Sequence, residues 1–226
     1  MNDKALVAVH AAQKVENGMC VGLGTGSTAN YFIEALAQRH YQEGLQVSVV
    51  ASSVVSAIKA GQLGLPLCAI EHIKHLDLYV DGADEVSPDL NLLKGRGADL
   101  VREKLLAEAC EQFFVLVDNS KFVSQLGERF AIPIEVMPFA WQLVKQKLKA
   151  IGATGELRKN ASGDGLIVTS HGSLVLDMTF DNQDSQTLNA LLNNTAGIVE
   201  HGIFYKLTSA VFCAVDGQVQ EQWATR

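Results

Sequence analysis

Between Met19 and Val117, short, mostly apolar runs alternate with longer segments of helical periodicity, and this alternation narrows the possible folds sharply. The runs are Met19–Leu23, Gln46–Ala51, Leu76–Val80 and Phe113–Val117. A strand with one wet face alternates apolar and polar residues, whereas a strand without that alternation is covered on both faces. The intervening Ala29–His40, Val54–Leu63 and Ala98–Cys110 supply covering helices, preceded by one that starts with Asp3 as N-cap and stops at Gly18. The pattern predicts an α/β chain with an open, mostly parallel, Rossmann-like sheet.

Past about Phe130 the character changes. Ile132–Val136, Thr154–Arg158, Leu166–Thr169, Ser173–Thr179 and Ile198–His201 read as strands, and Phe139–Ile151 and Ser185–Leu192 as helices. Hairpin-joined strands with two helices predict a second, smaller α+β domain of split β-α-β, ferredoxin-like type. Ala210–Val215 and Val219–Trp223 flank Asp216-Gly217, a strong hairpin signal, and would return the tail to the first domain. The expected division is 1–130 plus 204–226 for the Rossmann-like catalytic domain and 131–203 for the small one.

Composition excludes several classes. A chain of 226 residues, 48% hydrophobic and 19% charged, is neither disordered nor collagen-like. No run approaches the ~18 apolar residues of a membrane span, and the N-terminal segment, broken by His10, Gln13 and Lys14, does not read as a signal peptide. Cys20, Cys68, Cys110 and Cys213 lie far apart in apolar runs, the usage of a reduced, cytoplasmic protein. A net charge of −7 argues against nucleic acid and anionic membranes as partners, so any phosphate must be captured locally.

Gly24-Thr25-Gly26-Ser27-Thr28 follows the first strand. Glycines allow a sharp turn, and the next helix offers free N–H groups and two hydroxyls, an anion cradle. The dinucleotide spacing and the G-K-[ST] of a nucleotide loop are both absent. The spacing leaves open a phosphate cradle and a plain turn in which Ser27 or Thr28 caps the helix. Asp81-Gly82-Ala83-Asp84-Glu85 stands just past a buried strand, on the edge where open α/β sheets bind ligands. Asp81 there suits acid–base work on a hydroxyl and Asp84 suits binding another. Lys94-Gly95-Arg96-Gly97 offers a cation and exposed N–H groups to an oxyanion. Glu103 lies opposite the stripe Ala98, Val101, Leu105 and Ala109, which reads as a solvated glutamate, and Lys121 reads as a loop lysine on the ligand edge. With Ala98–Cys110 helical, Asp99 and Glu103 are i, i+4 neighbours whose like charges disfavour joint ionisation. His72 and His75 have helical spacing for a metal but no third ligand nearby in sequence.

These pieces, in this order, resemble ribose-5-phosphate isomerases of the A type. The matching stretches are Val21–Ala29, Tyr79–Glu85, Lys94–Gly97, Arg102–Lys104 and Asp118–Lys121, with weaker similarity through Ile132–Val136 and the C-terminal strands. The resemblance implies interconversion of D-ribose 5-phosphate and D-ribulose 5-phosphate in the pentose phosphate pathway, without cofactor or metal, by a homodimer or homotetramer. Carried over by position, it makes Glu103 the base that moves a proton between C1 and C2, and Asp81 the group that assists ring opening. It gives Lys94 with the Gly95, Arg96 and Gly97 backbone to the oxyanion. Thr25, Gly26, Ser27 and Thr28 go to substrate and phosphate, with Lys121 and Lys4 adding charge. Gly82, Ala83 and Asp84 go to the sugar. Arg96, Ala98-Asp99 and Val54-Val55 depart from the family pattern. A related deaminase, a CoA-transferase-like enzyme with Glu103 as nucleophile, and a sugar-phosphate-binding sensor module are the alternatives.

Overall fold

The computed structural model describes residues 2–181 and 183–225. In chain order the first elements are α1 (Asp3–Gln13), β1 (Cys20–Leu23), α2 (Ser27–Gln42), β2 (Ser48–Ala51), α3 (Val54–Gln62) and β3 (Leu76–Asp81). Next come β4 (Glu85–Val86), β5 (Leu92–Leu93), α4 (Leu100–Ala109), β6 (Cys110–Val117), β7 (Ile132–Val136), α5 (Trp141–Lys149) and β8 (Thr154–Leu157). The chain ends with β9 (Leu174–Thr179), α6 (Ser185–Asn193), β10 (Ile198–His201), β11 (Ile203–Phe204), β12 (Ala210–Val215) and β13 (Gln218–Trp223).

Two compact units result. The first takes the chain up to Ala83, Arg102–Lys121 and the chain from Leu207, and the second takes Asp84–Val101 and Phe122–Lys206. Residues 84–101, 122–130 and 204–206 therefore lie in the second unit, not in the first as the expected division had them. For 84–101 and 204–206 the cause is a three-stranded sheet in the order β11-β5-β4, and for 122–130 it is Val123, Leu126 and Phe130, which pack in the second unit's core. Two-residue strands are too short to leave a periodicity in the sequence.

In the first unit the sheet order is β13-β12-β6-β3-β1-β2. All neighbours but the last hairpin run parallel, with Val21 opposite both Val49 and Leu78. Val7, Phe32, Leu36, Leu78, Phe114 and Phe212 belong to its core. The N-cap of α1 is Asn2, whose side chain accepts from Ala5 N–H at 2.8 Å, and not Asp3. Arg39 caps the other end by donating to the Ala12 and Val15 carbonyls. Asp216 and Gly217 both have positive φ, 50° and 75°, as the predicted tight hairpin requires.

That hairpin is tied down by Glu221, whose carboxylate accepts from Lys14 at 2.8 Å, from His10 at 2.6 Å and from the Trp223 indole at 2.8 Å. Lys14 and then His10 pull its pKa from 4.5 to about 2. A carboxyl whose pKa is depressed by folding contributes stability above its unfolded value and loses it as pH falls through the folded one. Glu221→Gln should therefore lower Tm at pH 6, and the gap from wild type should close between pH 4.5 and 2 in thermal melts. A gap independent of pH would contradict the tie.

In the second unit β7, β8, β9 and β10 form an antiparallel sheet in the order β10-β7-β9-β8. With α5 between β7 and β8, and α6 between β9 and β10, this is the split β-α-β arrangement. Val144 and Leu148 of α5 and Leu188 and Leu192 of α6 share its core with Ile134 and Met178. Leu166–Thr169 is not a strand; it makes only isolated bridges, Lys159 with Leu166 and Val168 with Leu174.

Candidate active site

β6, β3 and β1 are adjacent and parallel, so the chain leaves all three at one edge of the first unit. β1 leads into Gly24–Thr28, β3 ends in Asp81, and β6 leads through Asp118 to a 3-10 turn at Asn119–Lys121. β2 and β3 flank β1 on opposite sides, the switch point where open α/β sheets open a crevice.

Asp81 is fully buried. Its Oδ1 accepts from Thr25 N–H at 3.0 Å and Gly82 N–H at 2.7 Å, and its Oδ2 accepts from the Tyr79 hydroxyl at 2.6 Å. Tyr79 is buried and stacked on Phe113 at 4.9 Å. Burial, then the charges of Asp81 and Glu103, push its phenol well above the usual range, so it stays a donor. The motif glycines make room for this arrangement. A Cβ on Gly24 would stand 2.2 Å from Asp81 Cγ, and one on Gly22 would stand 2.7 Å from Tyr79 Cδ2. Gly24→Ala should displace Asp81 and cut kcat/KM by about 10²-fold, the scale of a misplaced reacting group. Steady-state kinetics at near wild-type values would show that Asp81 needs no such placement.

A cluster of hydroxyls fixes the turn. Thr25 Oγ1 lies 3.1 Å from Ser52 Oγ, 2.7 Å from Ser53 Oγ and 3.2 Å from Ser56 Oγ, and Ser56 donates to the Gly24 carbonyl at 2.6 Å. Sequence reasoning missed these serines, since only the fold stacks the end of β2 beside that of β1.

Gly26, at φ 110°, hands the chain to α2, which begins at Ser27 with no side-chain cap. Ser27 and Thr28 are thus inside the first turn and do not cap it, leaving its N–H groups to a ligand. Lys4 donates to Ser27 Oγ at 2.8 Å. Burial would raise the Asp118 carboxyl, yet Ser120 and then the charges of Lys121 and Lys4 hold it below the usual range. Two cations therefore serve the edge where α2 starts.

Glu103 is 5% exposed, not solvated, and its neighbour Lys104 is buried as well. α4 runs Leu100–Ala109, shorter than the expected helix, and buries Leu100, Glu103, Lys104, Leu106 and Ala107. Leu105, assigned to the apolar stripe, is 50% exposed. No strong apolar face marks this helix, so its wheel could be read with the wrong side inward. Asp99 precedes the helix and follows Ala98, whose φ is 63°. The i, i+4 placement of Asp99 and Glu103 on one helical face therefore does not hold.

The remaining motif residues belong to the second unit. Asp84 accepts weakly from Arg96 N–H at 3.4 Å, and its own N–H donates to the Leu93 carbonyl. Glu85, the third acid of the run, turns away from such work. It is fully buried and accepts from the N–H groups of Gly127, Arg129 and Phe130 at 2.6, 2.7 and 2.9 Å. Lys94 is 4% exposed, with its ammonium 5.6 Å from the Phe204 ring centre. Arg96 lays its guanidinium 4.1 Å from the Phe130 ring centre. Gly95, with φ 100°, opens a turn closed by Ala98 N–H donating to the Gly95 carbonyl at 3.2 Å.

His75, Asp77 and Glu111 bring three potential metal ligands within 4.8 Å of one another. The fold supplies the partners that sequence spacing lacked, though without His72. They stand where β3 and β6 begin, at the opposite strand ends from Asp81. Among the described residues no helix is long and apolar enough to cross a membrane. All four cysteines are free thiols.

The family model of ribose 5-phosphate isomerase A (phosphoriboisomerase A) matches residues 48–218. Ribose-5-phosphate isomerase A of Thermosynechococcus vestitus is 43% identical over 96% of this chain and 94% of its own length. The protein of that name from Methanothermobacter thermautotrophicus is 43% identical over 93% of both. Among solved structures, ribose 5-phosphate isomerase A of Methanocaldococcus jannaschii superposes with a TM-score of 0.92 at 36% identity, covering 97% of both chains. A D-ribose-5-phosphate isomerase in complex with phospho-erythronic acid superposes at 0.94 and 34% identity, covering 99% of this chain and 100% of its own.

Proposed function

This chain belongs to the ribose 5-phosphate isomerase A family and interconverts D-ribose 5-phosphate and D-ribulose 5-phosphate, and from that premise we propose which residues carry each part of the reaction. Asp81, set among the Thr25, Gly82 and Tyr79 donors, shuttles the proton of the anomeric hydroxyl toward the ring oxygen as the sugar opens. Glu103 then removes the proton from C2 of the open aldehyde and returns it to C1. In between, the C1 oxygen carries negative charge as an enediolate, which Lys94 and the N–H groups of Gly95–Gly97 stabilise, and the proton of the C2 hydroxyl passes to that oxygen, so that C1 ends as CH2OH and C2 as the ketone. Gly82, Ala83 and Asp84 hold sugar hydroxyls. Thr25, Gly26, Ser27 and Thr28, with Lys121 and Lys4, hold the phosphate, whose binding energy is remote from the reacting carbons.

Proton transfer of this kind calls for no metal or cofactor. The observation that carries the assignment is the buried Glu103 on the same unit as Asp81 and the uncapped start of α2. A coupled assay following ribulose 5-phosphate formation from ribose 5-phosphate should show full activity after dialysis against EDTA. Activity that returns only with a divalent ion would contradict the metal-free reading. Phospho-erythronic acid, bound by the structural relative, resembles the enediolate in charge and should compete with substrate here.

We also place the protein in the cytoplasm, on its four free thiols. Self-association as a dimer or tetramer is supported by exposed apolar side chains on α3 (Val54, Val55 and Ile58) and around α5 (Phe139 and Leu143).

A further inference from the structure

We propose that Arg158 is a positioning residue for the isomerisation, acting through the Gly95-Arg96-Gly97 backbone. Arg158 directly follows β8, where its main chain is fixed on both sides. Its N–H donates to the Val175 carbonyl and its carbonyl accepts from Ile167 N–H. Its side chain, 15% exposed, forms a fork on Asp177 of β9, with Nε to Oδ2 at 2.8 Å and Nη2 to Oδ1 at 2.5 Å. The remaining nitrogen, Nη1, donates to the carbonyl oxygens of Gly95 and Arg96, each at 3.0 Å.

The consequence follows from peptide geometry. In a planar trans peptide the C=O and the following N–H point in opposite directions. Drawing the Gly95 and Arg96 oxygens toward one guanidinium turns the N–H groups of Arg96 and Gly97 to the other side. Arg96 N–H does point at Asp84 Oδ2, at 3.4 Å. Positive charge behind both carbonyls also polarises the two peptides, strengthening the N–H groups as donors to a developing oxyanion. A glycine-rich turn has little stiffness of its own. Arg158, held by a sheet residue, supplies it. Only a planar fork can engage a carboxylate and two carbonyls at once, so lysine is no substitute.

This inference rests on assigning the 95–97 backbone to the oxyanion, so the test separates the two. Arg158→Ala, Arg158→Lys, Asp177→Asn and Lys94→Ala are each assayed for kcat, KM, competitive inhibition by inorganic phosphate, and Tm. Arg158→Ala and Arg158→Lys should each lose about 10- to 100-fold in kcat, the scale of a displaced donor. KM and the phosphate inhibition constant should stay within about threefold. Asp177→Asn should show the same split more weakly and serves if the Arg158 variants fold poorly. Millimolar guanidinium should restore part of kcat to Arg158→Ala and none to Lys94→Ala. Wild-type kcat in Arg158→Ala, or a loss shared equally by kcat, KM and phosphate binding without rescue, would overturn the role. Wild-type kcat in Lys94→Ala would instead overturn the loop's assignment to the oxyanion, and the inference with it.

Discussion

Glu103→Gln should leave a folded protein that binds substrate and scarcely turns it over, with kcat lower by about 10³-fold or more. General acid–base groups contribute roughly 10²–10⁴-fold, and in the proposed reaction one carboxylate handles the proton at both carbons. The change is nearly isosteric, so the buried side of α4 should keep its packing and KM should move little. Near-normal kcat in steady-state assays would remove Glu103 from the chemistry. Loss of phospho-erythronic acid binding along with turnover would make it a binding residue.

The second large effect is on stability and separates two adjacent acids. Glu85 satisfies three backbone N–H groups with one buried carboxylate. Glu85→Gln replaces one oxygen with an NH2 that faces a donor, leaving either the Gly127 N–H or the Arg129 and Phe130 pair without its acceptor. The expected cost is about 3 kcal/mol, combining the lost bonds to a charged group with the orphaned donors. For a chain of this size that lowers Tm by about 6–12 °C. Asp84→Asn, one position earlier and only half-buried, should leave Tm within about 2 °C, since it meets a single weak donor. It should raise KM instead. Equal shifts in Tm for both variants, by calorimetry, would refute the division of labour in this acidic run.

The two cases show where sequence reading stops. Asp81 was legible because a strand's end and its side chain are given by local pattern: an apolar run, then an acid. The glycines of the first turn were legible as a turn, but the reason for them was not. Gly22 and Gly24 are small because Tyr79 and Asp81, more than 50 positions away, occupy the space a Cβ would take. Ser52, Ser53 and Ser56 were invisible for the same reason: a serine gains its part only from what is stacked beside it. Glu103 was misread by the helical wheel, because a wheel assumes that the apolar side faces inward. α4 breaks that assumption by burying Glu103 and Lys104 while Leu105 faces out.

What the sequence determined by itself is the material set by local periodicity and turn chemistry. That covers the alternation that makes a parallel sheet, the helices of the small sheet, the Asp216-Gly217 hairpin and the order of the motifs. The tertiary structure decided the rest. It assigned 84–101 to the second unit through strands too short to announce themselves, and gave Asp84 and Glu85 different surroundings. It also brought Lys4 and Lys121, far apart in sequence, to the same carboxylate. The physical reason is range: periodicity reports what lies within a few residues, whereas burial and charge depend on which distant segments the sheet order makes neighbours.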